Sequence, residues 1–378
     1  MTTSNAEAAG QRWVLQFCHG YDGPFLDCAR QYAVLFRGTR YKVCTVYLTG
    51  APSAEVEQGS ASDEVIFLDY RSKDVSGLKL KAILDIRRIA ATRDFALCIA
   101  HRFKPIYVAL LGTALPVIGV HHAFGVYGRL SRRLFINRFR ERLLLLGVSN
   151  AVRDEMRRDL HGWPPERIET LYNRIDIETV QAEQVPREEA RAHLGLPQDA
   201  WVVGNVGRLH PDKDQATLIR GFALALPQLP AGSLLAIMGS GRLESSLKAL
   251  AAELGVAESV RFLGQVAHGR RYFKAFDVFA LSSDHEPFGM VLLEAMAAGV
   301  AVVGTACGGG QEVVRGVGEL FELGNTRQLA EAFVAQVRCA DRRAVQQAMR
   351  VRLQERFSDQ AVREDFRFIT RQAGLLEA

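Results

Sequence analysis

The chain predicts an α/β protein built from two doubly wound parallel-sheet domains in series. Three observations carry that expectation. Short β-branched and apolar runs alternate with longer segments of helical period, the pattern of a parallel sheet with helices on both faces. The alternation occurs twice, on either side of a polar segment at 176–200 that holds Pro186 and Pro197. The length, 378 residues, accommodates two domains of ordinary size.

In the first half, strands are expected at 13–18, 43–48, 65–68, 96–99, 117–120 and 143–148. Helices fall between most of them, for example at 25–36, 78–91 and 152–160. In the second half, strands are expected at 201–206, 234–238, 260–262, 278–281 and 300–303, with helices such as 217–225 and 243–254. A short helix at 187–194 opens the second domain, and a last helix at 360–373 has no strand after it. The expected divisions are therefore 1–178, 179–358 and a terminal segment, 359–378.

Hydrophobic residues make up 48% and charged residues 24%, which fits a soluble globular protein with full cores. A net charge of +5 suits anionic ligands or a membrane surface but is too small for a dedicated nucleic-acid binder. Six cysteines show neither a CxxC pair nor metal-finger spacing, so reduced thiols in a cytosolic protein are expected. The first residues lack the basic-then-apolar pattern of a leader. The longest apolar stretch, 106–120, is broken by Gly112 and Pro116 and is shorter than the roughly 20 residues of a spanning helix.

The chemistry-bearing motifs lie mostly in the second half. Residues 282–299 read SSDHEPFGMVLLEAMAAG, with Glu286 on a loop and Glu294 inside the helix that follows. The first-turn N–H groups of Gly289, Met290 and Val291, next to Phe288, form a ready anion site such as a diphosphate needs. Glu294, about two turns along, is placed to accept hydrogen bonds from ribose hydroxyls. At the end of the strand 201–206, Gly207 lets backbone approach a ligand, and Arg208 and Lys213 are spaced to converge on one polyanion. Asp212-Lys213-Asp214 is formally a DxD metal motif, but the intervening lysine opposes a divalent cation. Gly239 and Gly241 form a second glycine turn after a strand, without the third glycine of a dinucleotide fingerprint. That omission disfavours a dehydrogenase. Gly308-Gly309-Gly310 is a third glycine turn.

In the first half, His122 follows the strand 117–120, and His101 occupies an analogous strand end. A loop with Gly20 and Gly23 follows the first strand. Arg129, Arg132, Arg133, Arg138, Arg140 and Arg142 flank an apolar stripe of Leu130, Leu134, Phe135 and Phe139. Two readings stay open for it: an interfacial or phosphate-rich acceptor surface, or a helix packed on the sheet with a solvated basic face.

The segment 282–299 and the loop GRLHPDKD resemble the signatures of retaining glycosyltransferases of family 4. The resemblance runs from about Trp13 to Phe357, with strong motifs in the second half only. It implies the GT-B fold, two Rossmann-like domains facing across a cleft, with the terminal helix crossing back to the first. It implies transfer of a sugar from a nucleotide-diphosphate-sugar to an acceptor hydroxyl with retained configuration, without metal or other cofactor. Arg208 and Lys213 then hold the diphosphate, and Glu286 orients the sugar. Gly207, Gly239, Gly241 and the start of the helix after Phe288 line the donor pocket, with Phe262 and Leu263 near the base. His122 reaches toward sugar and phosphate, while Gly20, Gly23, His101, Arg129 and Arg132 lie on the acceptor side. Two departures stand out: Tyr21 and Asp22 separate glycines that many members carry together, and Arg174 replaces a glycine in Asn173-Arg174-Ile175-Asp176. The expected acceptor is a bacterial surface glycolipid or oligosaccharide, such as a lipopolysaccharide core, met at the cytoplasmic face of a membrane. An epimerase or hydrolase on the same fold, and a non-catalytic binding protein, remain as alternatives.

Overall fold

The computed structural model describes residues 11–71 and 73–376. Its central strands are unbroken apolar runs. Leu143–Gly147 reads LLLLG with every position buried, the signature of a strand covered on both faces.

In the first unit, β1 (Arg12–Cys18), β2 (Tyr41–Tyr47), β3 (Glu64–Phe67), β4 (Phe95–His101), β5 (Val117–His121), β6 (Leu143–Gly147) and β7 (Ile168–Thr170) form one parallel sheet. Their order is β3-β2-β1-β4-β5-β6-β7. The chain winds outward from β1 to β3, then returns to β4 beside β1 and winds the other way. Loops leaving the carboxyl ends of β1 and β4 therefore diverge and open a crevice, where open α/β sheets bind ligands.

The second unit repeats the device. Strands β8 (Val202–Val206), β9 (Leu234–Met238), β10 (Val260–Gly264), β11 (Val278–Leu281), β12 (Ala301–Thr305) and β13 (Glu319–Phe321) run parallel in the order β10-β9-β8-β11-β12-β13. Here the reversal lies between β8 and β11, so the loops at 207–214 and 282–289 flank the switch point. Helices Gln215–Ala225 and Thr326–Arg338 bury Leu218, Phe222, Leu329 and Phe333 against β8, β9 and β12, fixing the ends from which those loops spring.

The units divide at 173/174 and 361/362 rather than at the expected 178/179 and 358/359. Arg174 is buried in an ion pair with Asp359, and Ile175 N–H donates to Phe357 O at 2.8 Å, which ties these residues to the second unit. From Val362 onward, the helix Asp359–Gln372 belongs with the first unit. There Arg363 Nη2 donates to Val34 O at 3.1 Å, and Phe366 meets Phe36 edge-on at 5.6 Å. Strands β7 and β13 and the helix Ala54–Gly59 were not among the expected elements. Each edge strand has three residues, too few to display a period.

Candidate active site

Three loops of the second unit meet around Glu286. After β8, Pro211–Lys213 forms one 3₁₀ turn, and Asp214 (φ +43°) caps the next helix by accepting from Thr217 N–H at 3.2 Å. That turn is sewn to the loop after β11: Ser282 Oγ donates to Lys213 O at 2.8 Å, and Asp284 N–H donates to Asp212 O at 3.1 Å. Lys213 Nζ thereby reaches Glu286 Oε2 at 2.7 Å, with both side chains largely withdrawn from solvent. The third loop, after β12, closes over the same residue. Gly309 N–H donates to Glu286 O at 2.7 Å, and a Cβ on Gly308 would lie 2.3 Å from that oxygen.

Arg208 is not brought onto Glu286. Its side chain is 74% exposed and rests 3.5 Å from Asp212, so the counter-charge of Lys213 is Glu286 alone among the described residues. Asp212 is held by His210, whose Nδ1 lies 2.5 Å from Oδ1. With Asp214 used as a cap, the DxD carboxylates are committed to the loop's own architecture. Among the described residues no group of three or more His, Cys, Asp or Glu side chains is set to hold a metal.

Beside this pair lies a pocket of about 430 Å³, bounded by Val206, Gly207, Gly239, Val266, Arg270 and Glu294, among others. Its size suits a small-molecule ligand. Three residues expected on the donor side, Gly207, Gly239 and Glu294, therefore share one cavity. The close approach of backbone explains the glycine at 239: its φ is +139°, and a Cβ there would fall 1.9 Å from Gly207 O. Gly241 packs likewise on the backbone of Leu209. Gly289 (φ +94°) starts the helix Met290–Ala297, which carries Glu294, and no described side chain caps it. Met290 and Val291, half-buried, occupy its first turn. A separate concavity of about 320 Å³ lies at the opposite ends of these strands, lined by Asp277 with Arg187 and Arg342. It sits at the amino ends of the strands, away from the switch point, and is a gap among paired charges.

Two residues expected on the donor side lie outside this pocket. Phe262 packs against the hydrophobic core with the Lys248 ammonium 5.6 Å from its ring, and half-buried Leu263 does not bound the pocket either. The residues that do are slightly later: Gln265, Val266, His268 and Arg270. Phe288 is 2% exposed and packs edge-on against Phe357 at 5.7 Å, so its ring is core and only its backbone borders the turn. His210 and Arg270 were missed. Neither stands in a spacing that marks chemistry, although both follow strands' carboxyl ends.

In the first unit the histidines gather. His101 is buried, and its Nδ1 lies 3.1 Å from Nε2 of His122, with the rings nearly parallel at 13°. Nδ1 of His122 lies 3.7 Å from Cys28 Sγ. His121, the last residue of β5, is 1% exposed and bound to Tyr127 at 2.9 Å, while His122 is half-buried. On the loop after β1, Gly20 packs against Thr49, while Gly23 (φ +58°) has open space around it. Arg129 is exposed and precedes the helix Leu130–Asn137. Arg132 is not a free surface charge: it donates to Val126 O at 2.9 Å and lies 4.7 Å from the Phe103 ring.

Burial, then the field of Arg102, lowers the pKa of His122 to about 4. Burial, then Lys104 and Arg102, opposed by Asp22, lowers His19 to about 4. Burial and His122 push His101 well below its ordinary value. An unfolded imidazole titrates near 6.5, so between about pH 4 and 6.5 the unfolded chain binds more protons and stability rises with pH. The contribution is complete above about pH 6.5 and is lost as pH falls toward 4. The thermal midpoint is expected to drop across that window, with a shallower slope in His122→Asn and His101→Asn. An unchanged slope in both would assign the acid sensitivity elsewhere.

Two doubly wound parallel sheets, with a charged pair and glycine turns at the second switch point, define a two-domain Rossmann-like protein. Solved structures share this fold. A glycosyltransferase from Rickettsia africae ESF-5 superposes with a TM-score of 0.81 over 96% of this chain and 98% of its own, at 15% identity. Anabaena Alr3699/HepE, solved with UDP and glucose, gives 0.75 over 94% and 98%, at 22% identity. The fold is GT-B. Residues 29–179 match Glycosyltransferase Family 4 and residues 186–347 match Glycosyl transferases group 1, so the two parts of the chain belong to these two glycosyltransferase domain families. The lipopolysaccharide core biosynthesis glycosyltransferase LpsE of Rhizobium meliloti (strain 1021) is 38% identical over 168 residues, 44% of this chain and 46% of that protein. The matched stretch thus spans less than half the length of such relatives.

Proposed function

We propose that the protein transfers a sugar from a nucleotide-diphosphate-sugar to an acceptor hydroxyl with retention of configuration, in the synthesis of a bacterial surface glycan such as a lipopolysaccharide core. The observation that carries this reading is the Lys213–Glu286 pair, 2.7 Å apart, at the switch point that also presents the Gly207, Gly239 and Glu294 pocket. In it, Lys213 meets the charge that develops on the leaving phosphate, joined by Arg208 swinging in from solvent. The helix start at Gly289 adds backbone donors, so no metal is required. Glu294 accepts from ribose, and Glu286, released from Lys213 as the diphosphate takes its place, orients the sugar. His122, neutral above about pH 4, offers the sugar a hydrogen-bonding imidazole. With no second carboxylate in the role of covalent nucleophile, a same-face substitution assisted by the departing phosphate fits better than double displacement. Products analysed with and without acceptor test this. Transfer that depends on acceptor supports it, whereas isomerised or hydrolysed donor without acceptor favours the epimerase or hydrolase alternative.

The acceptor is assigned to an anionic membrane surface at the cytoplasmic face. No described helix is long and apolar enough to cross a membrane. Leu130 and Leu134 are each 62% exposed beside exposed Arg129, Arg138 and Arg140, and Leu78 and Leu80 are 69% and 65% exposed on a neighbouring segment. The aromatic contact of Tyr107 with Phe135 (4.8 Å) and the seat of Lys79 over Tyr107 (5.0 Å) join these segments into one face. Apolar side chains rimmed by cations suit an anionic interface. Leu130→Glu/Leu134→Glu is expected to abolish sedimentation with phosphatidylglycerol vesicles. Equal sedimentation of the variant would remove the interface.

A further inference from the structure

His101 and His122 are joined more specifically than two rings that merely pack together. His101 Nδ1 lies 3.1 Å from His122 Nε2, and the ring centroids are 5.4 Å apart with planes 13° from parallel. That centroid separation is close to the largest that a 3.1 Å contact between two ring nitrogens allows. Both nitrogens therefore lie on the line joining the rings, which meet edge to edge and not face to face. A ring N–H points outward along that same line, so one imidazole donates to the other with near-linear geometry. Burial, before any neighbouring charge, keeps both rings neutral at pH 7. One of the two facing nitrogens thus carries a proton and the other a lone pair.

The direction of donation follows from the nitrogens left over. His101 is 3% exposed and its ring meets Tyr32 edge-on at 4.9 Å. Its Nε2 is buried and reaches no hydrogen-bonding partner among the described residues. Were His122 the donor, the proton of His101 would sit on that Nε2 as an orphaned N–H. With His101 the donor, only an idle lone pair is left there, and orphaned N–H groups are the rarer of the two in folded proteins. His122 then holds its own proton on Nδ1, facing Cys28 Sγ at 3.7 Å. We propose that His101 is a positioning residue, which by donating to Nε2 fixes His122 as its Nδ1–H tautomer and makes it a hydrogen-bond donor, not a base, toward a sugar or phosphate oxygen. Sulfur is a weak acceptor, so the N–H exchanges Cys28 for such an oxygen at little cost. The oxygen rests on the glycosyl-transfer reading, whereas the tautomer does not.

The test is the ring-nitrogen NMR spectrum of the intact chain, labelled with ¹⁵N at histidine, at pH 7. The chain has nine histidines, and the signals lost in His101→Asn and in His122→Asn assign the two rings. The wild type is expected to show His101 and His122 each protonated on Nδ1 alone. His101→Phe keeps a ring against Tyr32 but has no N–H, so the Nε2–H form of His122 is expected to appear. The kcat/KM for sugar transfer then falls about tenfold, the worth of one hydrogen bond. His101→Asn, whose amide N–H stands near the place of Nδ1, is expected to restore both the tautomer and the rate. A proton on Nε2 of His122 in the wild type overturns the proposal, and this result needs no variant to fold. An unchanged His122 tautomer in His101→Phe also overturns it, as does a changed tautomer with an unchanged rate. If the spectra behave as described and no nucleotide-diphosphate-sugar is turned over, the glycosyl-transfer reading fails and the control of His122 by His101 stands.

Discussion

Lys213→Ala is expected to lower kcat/KM for sugar transfer by about 10²–10³-fold, the usual loss when one group that meets transition-state charge is removed. Most of that loss falls on kcat, because the ammonium interacts most strongly once the leaving phosphate carries its charge. A second effect follows from the pairing. Glu286 has 11% of its side chain exposed and loses the cation 2.7 Å away. Removing one partner of a buried pair costs roughly 3–5 kcal/mol, and the 20% exposure of Lys213 draws the expectation toward the lower end. Glu286→Gln in the same background removes the stranded charge, so the double variant is expected to regain stability while staying inactive. Urea unfolding and steady-state kinetics on the three proteins separate the effects. Near-normal kcat in Lys213→Ala would strip the lysine of its role.

Gly239→Ala is the second large expected change. The added methyl would stand 1.9 Å from Gly207 O, on a backbone with φ of +139°. The neighbourhood cannot relax freely, since Gly207 N–H donates to Met238 O at 3.0 Å and Gly239 N–H to Gly264 O at 2.7 Å. Overpacking and backbone strain together predict a loss of at least about 2 kcal/mol. The loop at 207–209 must shift, and with it the wall of the pocket, so affinity for any nucleoside diphosphate falls as well. Gly232→Ala is the control: its φ is +76°, but nothing lies within 4 Å of the added Cβ. It should share the conformational cost and keep ligand binding. Equal behaviour of the two variants would mean that the contact with Gly207 is unimportant.

The parallel sheets were legible because buried strands must be apolar on both faces and helices must alternate with them. The candidate site was legible where a residue type has little structural reason to be present: a glutamate before a glycine turn, a lysine in a tight loop, a histidine past a strand end. What stayed hidden depends on direction. Phe262 and Phe288 stand within motif-bearing segments, yet one packs against the core and the other on Phe357. Arg132 lies in an arginine-rich run but is spent on Val126 O and the Phe103 ring. His101 and His122 lie at the ends of neighbouring strands and meet only through the pairing of β4 with β5. No spacing rule reports such a meeting.

The most direct test of the donor site is the thermal midpoint of wild type and Lys213→Ala against a panel of nucleoside diphosphates. At a hundredfold excess over its Kd, the correct nucleotide stabilises the wild type by about 2.7 kcal/mol by mass action. The account predicts that shift for at least one member, with an affinity at least about tenfold weaker in the variant, in line with loss of a charge-assisted contact. A panel that leaves the wild type unmoved, or moves both proteins equally, would contradict it.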